Sequence, residues 1–155
     1  MIDTGKAVEQ FLYSAFRLLD GGEFGKWMET WATELVYVVQ TAGNLERGST
    51  AALINDNRDR LIGRIASIEQ YWHAEVPRTR TSHLVGNIEV EPMADGTLVA
   101  RSRFIVSATR LGTQVMLAGR YEDVILRQGQ ALRLRSRLAV LDNDLLVAGR
   151  VTYIV

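Results

Sequence analysis

The chain has 155 residues, the size of one ordinary domain and enough to bury roughly 70% of its unfolded surface around a single core. Its 18 Lys and Arg balance 18 Asp and Glu, which argues against nucleic acid or an anionic membrane as the main partner, since both are recognised through a net basic surface. The chain contains no cysteine, so disulfides and every cysteine-ligated metal are excluded.

The first segment places Val8, Phe11, Leu12, Ala15, Leu18 and Leu19 at spacings of three and four. This predicts an amphipathic helix with Asp3 or Thr4 as its cap and Gly21-Gly22 as its stop. A short second helix is expected through Trp27 and Met28, followed by a buried strand at Leu35-Val36-Tyr37-Val38-Val39. Asn44 to Thr50 reads as a polar loop. Asn55 or Asp56 is a candidate cap for a third helix carrying Leu61, Ile65, Ile68 and Trp72 on one face, with Pro77 ending it.

From Thr81 onward the pattern changes to strand alternation. Leu84, Gly86, Ile88 and Val90 share one parity, then Leu98, Ala100, Ser102, Phe104 and Val106, with Asp95-Gly96 as the hairpin turn between them. A third run carries Val115, Leu117, Gly119 and Tyr121. A fourth alternates Leu132, Leu134, Ser136, Leu138 and Val140 against Arg133, Arg135 and Arg137, with breaks at Gly112 and Gly129. These runs exceed the usual strand length of about five or six residues, so the sheet should be long, twisted and bulged, with Gly119 a candidate bend. Helices followed by a long antiparallel meander predict an α+β fold, one domain over residues 1–155, with the sheet curled around the helices.

The N-terminal residues Met1 to Lys6 show no basic segment leading into an apolar run, and no stretch approaches the roughly 20 apolar residues that span a bilayer. The expectation is a soluble cytoplasmic protein.

Few residues could carry chemistry. The two histidines are His73 and His83. A Rieske cluster needs two Cys and two His and is impossible here; a mononuclear iron site would need both histidines to converge with an acid such as Glu75 or Asp123, at a spacing that matches no recurring metal motif. Curled α+β domains often enclose an apolar pocket in which an Asp, His or Tyr acts on a small substrate, and Tyr37, His83, Tyr121, Asp123 and Asp142 are the candidates. The alternative is a buried polar network that fixes strand register. Arg133, Arg135 and Arg137, with Arg101, Arg103 and Arg120 on other strands, read as a basic stripe, either acid-binding or paired with carboxylates such as Glu122 and Glu89. Trp27, Trp31 and Trp72 read as core or interface anchors. The apolar end Val151-Thr152-Tyr153-Ile154-Val155 is expected to be tied down as a last strand or against a neighbouring subunit.

The stretch from Trp72 to Ile88, with Glu75 and Pro77 leading into Arg78-Thr79-Arg80-Thr81-Ser82-His83-Leu84-Val85-Gly86-Asn87, resembles the signature region of the small, or β, subunits of aromatic-ring-hydroxylating dioxygenases. Similarity extends to both sides. It takes in Phe11-Leu12-Tyr13, Leu18-Leu19-Asp20, Trp27 and Tyr37, the central Asp56, Leu61 and Arg64, and Gly119-Arg120-Tyr121-Glu122-Asp123, Leu126-Arg127, Arg137 and Leu141-Asp142.

The resemblance implies a cone-shaped domain of the nuclear-transport-factor-2-like kind, three copies of which form a base beneath three large subunits in an α3β3 assembly. It places the Rieske [2Fe-2S] cluster, the mononuclear Fe(II) and the substrate pocket in the large subunit, with no cofactor in this chain. Under this reading Trp72, Glu75, Arg80, His83, Asn87, Arg120, Arg137 and Asp142 are structural or interface residues, and Arg78 to Asn87 helps build subunit contacts or the network that orders them. The competing reading is a stand-alone pocket enzyme, an isomerase, dehydratase or hydrolase using Tyr37, His83, Tyr121 and Asp123, or a small-molecule-binding module.

Overall fold

A computed structural model describes residues 3–143 and 153–155. Helix α1 (Thr4–Asp20) begins at Asp3, whose carboxylate accepts the Gly5 N–H at 3.1 Å, and buries Val8, Leu12, Ala15, Phe16 and Leu19. Gly22, at φ +72°, turns the chain out of the helix. Helix α2 (Phe24–Met28) adds Phe24 and Trp27 to the core, and strand β1 (Trp31–Thr41) is longer than its apolar run suggested.

Two local expectations are corrected. The polar segment expected as loop opens with helix α3 (Ala42–Glu46), because Thr41 accepts the Asn44 N–H at 3.2 Å and caps one helical turn. Asn55 and Asp56 do not cap the next helix; they lie in strand β2 (Ile54–Asp56), paired with Val38 and Tyr37 of β1. The Asp56 carboxylate is held two-pronged by Arg64, at 2.6 and 3.1 Å, so Asn57 caps α4 (Arg58–Ala74) instead, accepting the Arg60 N–H at 3.0 Å. Helix α4 buries the expected Leu61, Ile65, Ile68 and Trp72 and ends before Pro77.

Strands β3 (Arg80–Pro92), β4 (Leu98–Arg110), β5 (Thr113–Gln128) and β6 (Ala131–Leu141) form the meander. The six-stranded sheet runs β2-β1-β6-β5-β4-β3, with β1 parallel to β6 and the other pairs antiparallel. Its three hairpins turn at Gly96, Gly112 and Gly129, each at positive φ. One core cluster joins the buried faces of α1 and α4 to the inward residues of β1, β4, β5 and β6. The α+β architecture with helices packed in a long curved sheet is therefore the one expected.

Within the meander, two bulges decide which side chains enter that core. In β3, pairing moves from Gly86↔Arg103 to Glu89↔Arg101, and Asn87 sits at φ +51°. The extra residue flips the parity. Thr81, His83 and Val85 therefore point inward before the bulge and Ile88 and Val90 after it, while Leu84 is 67% exposed. The single parity expected for Leu84, Gly86, Ile88 and Val90 is broken for this reason. In β6, pairing moves from Val124↔Ser136 to Ile125↔Leu134, leaving Arg135 over. Leu134 faces in on one side of the bulge, and Arg137, Ala139 and Leu141 face in on the other. The arginine stripe expected at 133, 135 and 137 thus does not exist: Arg135 is exposed and Arg137 is buried.

A polar network inside the cone

Asp123 and Arg137 are directly opposite each other on β5 and β6. Arg137 Nε and Nη2 donate to the two Asp123 carboxylate oxygens at 2.7 and 2.8 Å, and both side chains are at most 1% exposed. The guanidinium carbon lies 4.6 Å from the Phe16 ring centre and 4.4 Å from that of Tyr121, a placement in which each ring face attracts the cation. Burial pulls the Arg137 pKa down, but the charge and hydrogen bonds of Asp123 outweigh it and raise the value overall. The pair is ionic.

Phe16 also stacks on His83, with ring centres 5.1 Å apart, and on Tyr121 at 5.4 Å. His83 Nδ1 lies 2.6 Å from Asp20 Oδ1, and its backbone N–H donates to Asp20 Oδ2 at 2.9 Å. Thr81 Oγ1 donates to the same carboxylate at 2.9 Å. Burial raises the Asp20 pKa, but the hydrogen bonds and charge from His83, helped by Thr81, bring it below the ordinary carboxylate value.

Two further bonds close the network from the chain's end. His83 Nε2 donates to the Ile154 carbonyl at 3.1 Å; Tyr37 Oη donates to the Val155 main-chain oxygen at 3.1 Å and accepts the Val155 N–H at 3.3 Å. Burial pushes the Tyr37 hydroxyl up to about 12. Tyr153, Ile154 and Val155 are buried in the common core, so the apolar end is tied down internally there, whereas Val151 and Thr152 lie outside the described residues.

The pocket candidates Tyr37, His83, Tyr121 and Asp123 are thus brought together, and Arg137 joins them. Asp20 and Phe16, equal members of the network, were not among the sequence candidates. Their signals were position on an amphipathic helix and, for Asp20, its place in the matched Leu18-Leu19-Asp20 run, and which carboxylate that helix would offer to β3 depends on how it docks.

Tyr121 Oη is buried without a hydrogen-bond partner, as are Arg137 Nη1 and Ser102 Oγ. Tyr121→Phe is therefore expected to leave stability unchanged or raise it by up to about 1 kcal/mol, since a desolvated hydroxyl without a partner opposes folding. Urea unfolding of the two proteins measures this; a loss above about 1 kcal/mol would mean that the hydroxyl is satisfied in solution.

Other candidates lie elsewhere. Glu75 accepts the Thr79 N–H and hydroxyl, both at 2.9 Å, and Trp72 packs on Phe24 with the Arg78 guanidinium 4.7 Å from its ring centre. Trp27 and Trp31 meet edge to face in the core. Arg80, Asn87, Arg120 and Asp142 are exposed. On the outer face a groove of about 530 Å³ is lined by Asn87, Glu89, Arg101, Arg103, Arg120 and Leu138, among others. There Arg101 pairs with Glu122 and Glu91, at 3.2 and 3.0 Å, so the expected neutralisation by Glu122 and Glu89 is shared by Glu122 and Glu91 instead.

His73 is exposed at the end of α4 while the His83 side chain is 1% exposed, so the structure does not bring the two histidines together. Among the described residues no three His, Asp or Glu side chains are grouped to hold a metal ion. A Rieske cluster does not fit this chain, which has no cysteine to ligate it. No helix among the described residues is long and apolar enough to cross a membrane.

Three solved structures share the whole architecture. The β subunit of benzoate 1,2-dioxygenase from Burkholderia mallei is 27% identical over 99% of both chains, with a TM-score of 0.83. The β subunit of a putative aromatic-ring-hydroxylating dioxygenase from Novosphingobium aromaticivorans is 23% identical over 97% of this chain and 96% of that one, with a TM-score of 0.82. A chain of naphthalene 1,2-dioxygenase, solved with indole in its active site, is 20% identical over 100% of this chain and 88% of that one, at a TM-score of 0.85. The model of the ring hydroxylating beta subunit family matches residues 15–148, a span from α1 to beyond β6 that contains the Trp72 to Ile88 signature and every strand of the sheet, and the chain belongs to that family.

Proposed function

We propose that this chain, as a single domain over residues 1–155, is the structural and assembly subunit of an aromatic-ring-hydroxylating dioxygenase. The large subunit then carries the Rieske [2Fe-2S] cluster, the mononuclear Fe(II) and O2-dependent dihydroxylation of the aromatic substrate. The supporting observation is the state of the interior. Asp123, Asp20, His83 and Tyr37 are engaged with one another, with Arg137 or with the chain's own residues 154 and 155, and the groups left without a partner, Arg137 Nη1 and Tyr121 Oη, are buried. The same occlusion disfavours the pocket-enzyme reading.

The exterior is suited to subunit contacts. Leu84 and Ile105 are directly opposite each other on β3 and β4, 67% and 40% exposed, and Met116 on β5 is 54% exposed. Apolar side chains grouped this way on a sheet face fit an interface core, with Arg80 and Ser82 beside them as its polar rim. A β-subunit trimer beneath three large subunits in the cytoplasm, an α3β3 complex, is the assembly that this family membership suggests.

Co-expression with the large subunit tests the reading: the two chains should co-purify as a complex containing iron and acid-labile sulfide, and failure to associate would overturn it. Leu84→Asp is expected to weaken assembly by at least tenfold in dissociation constant, about 1.4 kcal/mol or more, while the isolated chain keeps its unfolding midpoint. Analytical ultracentrifugation reads the first quantity and urea unfolding the second; an unchanged assembly would remove this face from the interface.

A further inference from the structure

The turn between β4 and β5 holds a residue that its backbone does not favour. Arg110 and Thr113 are paired across the two strands, so Leu111 and Gly112 alone make the turn, at φ +50° and +76°. A two-residue hairpin with both φ values positive is a type I′ turn, whose first position ordinarily takes Asn, Asp or Gly because a bulkier side chain is strained there. Leu111 is both strained and 70% exposed. Neither property helps the isolated chain to fold, and a costly residue without a folding benefit points to a demand from outside the chain.

Leu111 does not stand alone. Arg110 Nε donates to the Pro77 carbonyl at 3.0 Å and lies 3.8 Å from Glu75 Oε1, which ties the turn to the segment between α4 and β3. Glu75 Oε2 in turn accepts the Thr79 N–H and hydroxyl and so braces that segment. Within it Val76 is 85% exposed, and Val76 and Leu111 are the two most exposed large apolar side chains among the described residues. The charged residues of positions 75–80 and 109–114 are Glu75, Arg78, Arg80 and Arg110, an excess of cations. Arg78 lies over the Trp72 ring, and Arg80 is exposed with no carboxylate partner among the described residues.

We propose that Leu111 and Val76 form a braced apolar anchor that enters an apolar pocket rimmed by carboxylates on the large subunit, an inference that rests on the assembly role proposed above. Apolar side chains held in place before docking lose little freedom on binding, and the arginines around them select an acidic rim. A second copy of this chain does not supply that rim. Its groove of about 530 Å³ sets Arg101, Arg103 and Arg120 against Glu89 and Glu122, and its groove of about 510 Å³ carries Arg127 with no carboxylate. A third, of about 280 Å³, balances Asp3 against Arg127. None of the three carries an excess of negative charge, so the complementary surface belongs to a different chain.

The test uses the complex co-purified with its large subunit. Leu111→Asn puts into the turn a residue suited both to its φ and to water, so the isolated chain should unfold at a higher urea concentration. The same substitution should raise the dissociation constant of the complex, followed by sedimentation on dilution, by about tenfold or more. A residue of purely structural use would move stability and assembly in the same direction. Val76→Ser should weaken the complex by about fivefold and leave the isolated chain's unfolding midpoint unchanged, and it decides the matter if Leu111→Asn folds poorly. Added salt should weaken the wild-type complex, and Arg80→Gln should reduce that dependence; an unaltered salt response would remove the acidic rim. A complex that forms and is indifferent to both apolar substitutions would overturn the anchor and leave the assembly role standing, whereas wild-type chains that fail to associate would remove both. Substitutions that change only the self-association of the isolated chain would overturn the large subunit as the occupant.

Discussion

Asp123→Asn will cost the fold about 3–5 kcal/mol, because it leaves the Arg137 guanidinium buried without a counter-charge. Both side chains are sealed from water, and the two carboxylate oxygens take two of the arginine's donors while a third, Nη1, has no partner already. The loss would consume much of the 5–15 kcal/mol that ordinarily separates a domain from its unfolded state. Arg137→Met should be nearly as damaging, since the Asp123 carboxylate is then stranded. The double variant Asp123→Leu/Arg137→Met removes both charges together and should recover most of the loss, as replacement of buried ion pairs by apolar groups of similar volume often does. Urea unfolding of the four proteins gives the coupling energy. A single-site cost below about 1 kcal/mol would mean that water reaches the pair and that the interior is not sealed.

The second large effect concerns a residue with no side chain. At Gly119 of β5 an added Cβ would lie 2.0 Å from the Val140 carbonyl oxygen on β6 and 2.9 Å from the Phe104 ring. The first of these atoms is backbone, so the strands must part for a methyl group to enter. Gly119→Ala is expected to destabilise by about 3 kcal/mol, at the upper end of ordinary overpacking, and to disturb the neighbouring Tyr121, whose ring stacks on Phe104 at 4.1 Å. Gly63 provides the contrast: it lies exposed within α4 and an added Cβ meets nothing within 4 Å. Gly63→Ala should stabilise by about 0.5–1 kcal/mol through helix propensity. Thermal or urea unfolding should therefore move in opposite directions for the same chemical change. Two shifts of the same sign would contradict the packing described at Gly119.

The periodicity at Val8, Leu12, Ala15 and Leu19 and at Leu61, Ile65, Ile68 and Trp72 located α1 and α4 because a helix face repeats with the chain and needs no partner to be seen. Alternation at Leu98 to Val106 located β4 in the same way. The pattern misled wherever an extra residue entered a strand. At Asn87 and Arg135 a bulge inverts the facing of everything beyond it, so Leu84 turned outward and Arg137 inward, against a simple count by twos. Bulges are set by how two strands register against each other, and a single strand's sequence does not contain that information. Asn55 and Asp56 show a milder form of the same limit: both are good cap residues, and pairing with β1 gave the role to Asn57.

The amino-acid sequence by itself determined two things about this protein. The absence of cysteine ruled out a Rieske cluster in this chain, and the run from Trp72 to Ile88 with its flanking matches pointed to the family to which the chain belongs. The tertiary structure alone decided what becomes of the chemically capable residues. Tyr37, His83, Tyr121, Asp123 and Arg137 come from four strands, and Asp20 from a helix far from them in sequence. Their meeting depends on two bulges, the docking of α1 beneath β3 and the return of residues 153–155 to the core. These are long-range geometries fixed by packing, and they engage most of the side chains that could have formed an active site with one another.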